Sequence, residues 1–321
     1  MKKILCIDDN PIAHDLYHRG LYPSHFLYGI IEVEKAGFEV VISTSPCSGK
    51  DWVNLINNIK PDLVYIIFFS NIHLSLLWMK LIGKINIPLV VISHKTLSYT
   101  KKSFYKKYLY DQIDCCFFLS PKNMKESKIN SRKSEQLFWG ADLDFYKQFN
   151  VQDEGFFLST GKENRDFNAL ISVFNKIEYP LVIRTSPHAG MDYAYLKNIK
   201  HNDNVTISIV PKDDQTTIKL AEECSRCSSV VISLLPEAIG YCVGWSSCVE
   251  AMALGKPIIS TYNPYYPINI EEYQCGKYFN DSVVPNAIKL VNTRGRELAM
   301  NMFNMQIAGK QLVTTINQLL Q

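Results

Sequence analysis

The stretch Gly244-Trp-Ser-Ser-Cys-Val-Glu250-Ala-Met-Ala-Leu-Gly255-Lys-Pro-Ile-Ile259 decides how the chain is read. It predicts a loop, a short helix and a buried strand. Ser246 or Ser247 can cap the helix, Ala251 to Leu254 carry it, Gly255 stops it, and Pro257-Ile-Ile-Ser starts the strand. The run Val230-Val-Ile-Ser-Leu-Leu just upstream predicts another buried strand. A helix N-terminus would then open at the carboxyl edge of a parallel sheet, with Gly244 in the loop leading to it. Unpaired amides and the positive end of the helix dipole favour phosphate there. Glu250, placed in the first turn, adds a carboxylate able to accept hydrogen bonds from a sugar diol. The spacing Ser247-x-x-Glu250 is equally a capping box, in which the Glu reaches back to the N-cap amide and no ligand is involved.

Outward from this stretch, apolar runs alternate with helical patterns. Strands are expected at residues 4–7, 38–43, 63–68, 88–93 and 115–120, with helices at 24–36, 51–59, 72–85 and 121–128. A polar loop rich in His, Tyr and Gly should fill the interval after the first strand. Residues 136–139 close this half. The second half repeats the pattern with strands at 156–160, 181–185, 205–209 and from 229. Helices are expected up to 176, at 193–199, at 216–227 and over the tail from about 284 to 320, with a break near Arg294-Gly295-Arg296. Strands that are continuous apolar runs indicate parallel sheets covered on both faces. The chain of 321 residues is long enough for two such domains.

Composition excludes several classes. Charged residues make up 20% and the formal net charge is +3, too small to argue for nucleic acid. No apolar run is long enough to span a membrane, and the N-terminus lacks the features of a signal peptide. Nine scattered cysteines with no disulfide framework suggest reduced thiols and a cytoplasmic location. His14-x3-His18 is an i,i+4 pair without a third ligand in register, so no metal is expected.

Residues placed after strands are the candidates for chemistry, because ligands of parallel sheets sit at the carboxyl ends of strands. Lys162 and Arg165 follow the first strand of the second half, behind Gly161, and Arg184 ends the next. His94 follows the fourth strand of the first half. Asp9, His14 and His25 lie in or near the loop after the first strand. The stretch Tyr99-Thr-Lys-Lys-Ser-Phe-Tyr-Lys-Lys-Tyr-Leu-Tyr110 interleaves aromatics and lysines, which suits either a solvated helix face or contact with the inner face of a membrane.

The segment Glu250-Ala-Met-Ala-Leu-Gly-Lys-Pro257, with Gly244 and Ser246-Ser247 ahead of it, resembles the donor-site segment of retaining GT-B glycosyltransferases of the group 1, family 4 type. Gly140-Ala-Asp-Leu-Asp-Phe-Tyr146 resembles the segment that ends their N-terminal domain. The resemblance implies two doubly wound, Rossmann-like α/β domains facing a cleft: 1–144 for the acceptor and 145–321 for the nucleotide sugar. It also implies a last helix returning to the N-terminal domain. Glu250 would hold the ribose. Gly244, Ser246, Ser247, Gly161, Lys162, Arg165 and Arg184 would hold the diphosphate, and Val210 and Pro211 the base. His94 would contact the sugar near the reacting carbon, and Asp9, His14 and His25 would face the acceptor. These enzymes often carry a second glutamate where this chain has Cys242, and Glu237 is the nearest substitute.

The implied activity is metal-independent, retaining transfer from a nucleotide-diphosphate sugar to a glycan or lipid-linked acceptor in surface polysaccharide assembly, without a cofactor. The alternatives are a nucleotide-sugar epimerase on the same fold and a non-catalytic nucleotide-sugar-binding protein.

Overall fold

The computed structural model describes residues 1–186, 193–210, 213–279 and 294–321. These divide into two compact units. The first comprises Met1–Arg19, Pro23–Trp139 and Met305–Gln321; the second comprises Gly20–Tyr22 and Gly140–Asn304. Apart from the short segment Gly20–Tyr22, the chain passes from the first unit to the second after Trp139 and returns after Asn304.

The first unit is built on β1 (Lys3–Ile7), β2 (Glu39–Ser43), β3 (Leu63–Ile66), β4 (Leu89–Ser93), β5 (Cys115–Phe118) and β6 (Ser134–Gln136). They form one sheet in the order β2-β1-β3-β4-β5-β6, every pair parallel. β1, β3, β4 and β5 are almost wholly buried, which is why they read as unbroken apolar runs. Trp52 and Ile56 from the helix Gly49–Ile59, and Leu76 and Leu77 from the helix Leu74–Leu81, cover one face.

The second unit contains β7 (Phe157–Thr160), β8 (Leu181–Thr185), β9 (Val205–Ile209), β10 (Ser229–Ile232), β11 (Ile258–Ser260) and β12 (Gly276–Tyr278). Their order is β12-β11-β10-β7-β8-β9, again all parallel. Numbered within the unit this is 3-2-1-4-5-6 read from the β9 edge, the doubly wound order whose direction reverses between its first and fourth strands. The helix Phe167–Phe174 buries Phe167, Leu170, Ile171 and Phe174 against this sheet. Each such side chain contributes about 1.5–3 kcal/mol by leaving water.

Three local expectations are corrected. The interval after β1 is not a loop throughout: Ile12–His18 is a helix, entered through Pro11 and closed by an Arg19–Asp15 pair at 3.3 Å. The helix expected over 24–36 is broken into a 3-10 turn, Ser24–Leu27, and a helix, Ile30–Lys35. Tyr28 and Gly29 between them are both left-handed, with φ of 49° and 95°. The cause is close packing. A Cβ at Gly29 would lie 2.5 Å from Leu312 of the helix Met305–Leu319, which packs against Ile30–Lys35. The helix of the opening stretch starts at Trp245, not after Ser246 or Ser247. Its N-cap is Gly244 with φ 87°, and no side chain caps it. A Cβ at Gly244 would meet the Tyr266 hydroxyl at 2.7 Å, so only glycine enters the helix there. The tail predicted from 284 to 293 lies outside the described residues.

Candidate functional site

The reversal of strand order in the second unit falls between β7 and β10, and the loops that follow these strands are stitched together. Asp166 N–H donates to Ser233 O at 2.9 Å and Leu235 N–H to Asn164 O at 3.1 Å. Asn164, left-handed at φ 54°, donates its side-chain amide to the Tyr241 hydroxyl at 3.1 Å. That hydroxyl is also hydrogen-bonded to the Glu163 carboxylate.

Arg165 is the centre of this arrangement. Its side chain turns back under the loop, 4% exposed. Nε donates to Thr160 O at 3.0 Å, Nη1 to Glu163 O at 2.9 Å, and Nη2 to Ser247 Oγ at 3.2 Å. Gly161, at φ 110°, leaves the space that the guanidinium fills, since a Cβ there would overlap it. Among the described residues Arg165 has no carboxylate partner. A buried, uncompensated cation thus lies against the first turn of an uncapped helix. Both features favour an anion at this point.

The other candidates fall elsewhere. Lys162 is exposed on the same loop, and Ser246 is half-buried in the first turn of the helix. Ser247 is buried and engaged by Arg165, so it acts as a bridge between loop and helix. Glu250 is in the second turn of the helix, which has no acidic residue in its first. Its carboxylate is hydrogen-bonded to the buried Tyr146 hydroxyl, and with Gly244 as the N-cap the capping box is absent. Tyr146 belongs to the helix Leu143–Tyr146, which Asp142 caps through Phe145 N–H at 3.1 Å. Arg184 is not a free cation either. Nε and Nη2 bond the Glu223 carboxylate at 2.7–2.9 Å, and Nη1 reaches Ser208 Oγ at 2.8 Å. Arg184 and Val210 line a cavity of about 320 Å³ with Asp213, Lys219 and Glu223; Gly161, Arg165 and Ser247 do not line it. Pro211 lies outside the described residues. Glu237 is exposed in the turn Pro236–Ala238. Cys242 is 7% exposed, with its thiol pushed up to about 12 by burial, then by the nearby Glu163 charge. Glu163 therefore brings a carboxylate close to the position that lacks one. Sequence reasoning passed it over, although it sits between the two cations already singled out.

In the first unit the proposed acceptor residues do not converge. His25 is fully buried; its carbonyl accepts from Trp139 Nε1 at 2.8 Å and its ring meets Phe26 at 4.2 Å. Burial removes it from any acceptor. Asp9 accepts from Ser45 N–H at 2.8 Å and Ser45 Oγ at 3.2 Å, tying the loops after β1 and β2. Ser45 Oγ also meets His73 Nε2 at 3.1 Å, but His73 Nδ1 accepts from Ser70 N–H, so Nε2 carries the hydrogen of the neutral ring. His73 cannot take a proton from Ser45 in that tautomer, and the trio is not a nucleophile–base pair. His14 pairs with Glu34 across two helices, with His18 beside it. The spacing of the two histidines could not reveal this third group, because Glu34 comes from Ile30–Lys35.

His94 follows β4 and is held on three sides. It stacks on Phe68 at 4.0 Å, meets Tyr28 edge-on at 5.0 Å and bonds Ile67 O through Nε2 at 3.1 Å. Loss of water, then the Lys95 charge, lower its pKa to about 4. The unfolded chain binds a proton near pH 6.5 that the native ring refuses until about pH 4. Native stability should therefore be intact above pH 6.5 and fall as pH drops through that window, by at most about 1.4 kcal/mol per unit. Urea titrations at pH 7.5 and 5 should show this loss, smaller in His94→Gln. An equal loss in both would assign it to other groups.

No family model and no curated protein matches the chain. Solved structures do. UDP-GlcNAc 2-epimerase from Methanocaldococcus jannaschii, in complex with UDP-GlcNAc and UDP, aligns over 99% of this chain and 100% of its own at 13% identity, TM-score 0.58. AviGT4, a glycosyltransferase involved in avilamycin A biosynthesis, aligns over 99% and 98% at 13% identity, TM-score 0.59. The N-terminal domain of Candida albicans trehalose-6-phosphate phosphatase aligns over 99% and 97% at 11% identity, TM-score 0.62. At such identities the likeness concerns the fold alone. With two six-stranded parallel sheets flanked by helices, this chain has the two-domain, Rossmann-like GT-B fold.

Proposed function

We propose that the chain is an enzyme acting on a nucleotide-diphosphate sugar, with the diphosphate bound at the strand-order reversal of the second unit. The observation that carries this reading is Arg165, a buried cation without a counter-ion among the described residues, at a helix N-terminus. A diphosphate supplies the missing negative charge, and Lys162 closes over it from the exposed side of the loop. The leaving group's charge is then met without a divalent ion at this point. The cavity lined by Val210 and Arg184 is the candidate for the base. Glu163 takes the place of the glutamate absent at Cys242 and stands by the sugar. Glu250 is assigned to the fold through Tyr146.

The reaction we favour is transfer to an acceptor hydroxyl, through an oxocarbenium-like transition state. The sequence from Glu250 to Pro257 supports transfer. The exposed Phe104, Tyr105 and Tyr108, set among lysines, support an acceptor presented at a membrane surface, although no described helix is long and apolar enough to cross one. Epimerases among the structural neighbours support the second reading, epimerisation of the donor itself.

A thermal-shift screen of nucleotide sugars tests the binding, since a ligand at 100 times its dissociation constant stabilises by about 2.7 kcal/mol. Glu163→Gln should keep donor binding and lose at least tenfold in turnover. Incubation with donor alone separates the two reactions: accumulation of a second nucleotide sugar means epimerisation, whereas a donor inert until an acceptor is added means transfer. If no nucleotide sugar raises the melting temperature, the reading fails.

A further inference from the structure

We propose that His14, His18 and Glu34 form a binding site for one divalent transition-metal ion of the zinc class. His14 and His18 are one turn apart on Ile12–His18, and Glu34 approaches from Ile30–Lys35. His14 Nε2 lies 2.7 Å from Glu34 Oε1, His18 Nε2 lies 3.2 Å from His14 Nε2, and His18 Nε2 lies 3.5 Å from Glu34 Oε2. One ligand atom from each residue falls within 4.8 Å of the others. Ligands at about 2.0–2.1 Å from a tetrahedral ion are separated by about 3.3 Å, so these spacings need only small adjustments to surround one.

Hydrogen counting points the same way. His14 Nε2 faces two groups, the Glu34 oxygen and the His18 nitrogen, but one ring nitrogen carries at most one hydrogen. With neutral rings one of these approaches gets no properly directed hydrogen. A cation between the three atoms satisfies all of them at once. The rings stand edge to face at 76° with centroids 4.5 Å apart, so both nitrogens reach a shared point without stacking. Nearby, the Asp8 carboxyl is 6% exposed, its Oδ2 has no hydrogen-bond partner among the described residues, and it is close enough to His14 to interact with it. Two imidazoles and a carboxylate are a borderline-soft set that suits zinc and leaves a fourth position for water or a substrate oxygen.

Ile12–His18 follows β1, where the strand order of the first sheet reverses between β1 and β3. An ion there would lie on the first unit's ligand-binding edge. The inference does not depend on the nucleotide-sugar reading, which concerns residues of the second unit.

The test uses the whole, metal-stripped protein. Zn2+ binding is measured by calorimetry and by retained metal after gel filtration, and Co2+ is added as a visible probe of tetrahedral coordination. Wild type should bind one equivalent, with tetrahedral-type Co2+ bands, and melt higher with Zn2+. His18→Ala and Glu34→Gln should each lose at least tenfold in affinity and lose the bands. His18 has a side chain 54% exposed, so its replacement leaves the fold intact. Cys47 is the exposed thiol and is changed to Ser in every sample to remove competing zinc binding. Wild type that binds no Zn2+ overturns the proposal and leaves the cluster a hydrogen-bonded link between the two helices. Binding undiminished in both variants also overturns it.

Discussion

Arg165→Ala is expected to lower the melting temperature by about 4–12 °C and to abolish nucleotide-sugar binding in the same protein. The guanidinium joins the end of β7, the loop after it and the first turn of Trp245–Ala253 through Thr160, Glu163 and Ser247. Each buried hydrogen bond of this kind contributes about 1 kcal/mol. Removing a desolvated charge returns part of that, which leaves a loss of about 2–3 kcal/mol. For a protein of this size each kcal/mol is worth about 2–4 °C. Arg165→Lys separates charge from connectivity. A lysine keeps the cation but cannot reach all three partners, so it should be nearly as unstable while retaining some donor affinity. Calorimetric affinity for the donor within twofold of wild type in Arg165→Ala would remove the anion role and leave a staple.

The second large effect should come from a single methyl group at Gly140. Ala141 N–H donates to Phe303 O at 3.0 Å, and Ala141 bridges Asn304. The two strands of chain run so close that a Cβ at Gly140 would fall inside the carbonyl of Phe303 and against Asn304 N. The obstacle is backbone, which cannot turn away as a side chain can. Gly140→Ala should cost about 3 kcal/mol, at the upper end for overpacking, and show a fall of about 6–12 °C by calorimetry. Gly240→Ala is the control: nothing lies within 4 Å of its added Cβ and its φ is not left-handed. It should change stability by less than about 1 kcal/mol in either direction. Equal effects at the two positions would deny that the close approach is what selects glycine at Gly140.

The architecture was legible because burial on both faces leaves an apolar run. β1, β3, β4 and β5 are such runs and were placed within a residue or two of their observed ends. β12, three residues with Lys277 exposed between half-buried neighbours, left no such trace. The break at Tyr28–Gly29 was invisible for another reason. Its cause is Leu312, far along the chain, and a helical pattern carries no record of what will press against it. The site shows the same division. Arg165 was found from its place after a strand, yet its burial beneath the loop depends on Gly161 and Ser247 together. Glu250 was the most legible residue, and its partner the least. Tyr146 stands in the junction segment, and only the fold brings its hydroxyl to that carboxylate. Glu34 was silent because it meets His14 from another helix.

The crossings of the chain after Trp139 and after Asn304 have a consequence during synthesis. Residues 140–304 leave the ribosome as an uninterrupted block that can complete its own core. The earlier-made segment must wait, because Met305–Leu319, which seats Leu312 at Gly29 and Gly309 against Glu32, is translated after that block. The half begun first is thus finished second, and a nascent chain stalled short of Met305 should hold a protease-resistant second half beside a first half still open to cleavage.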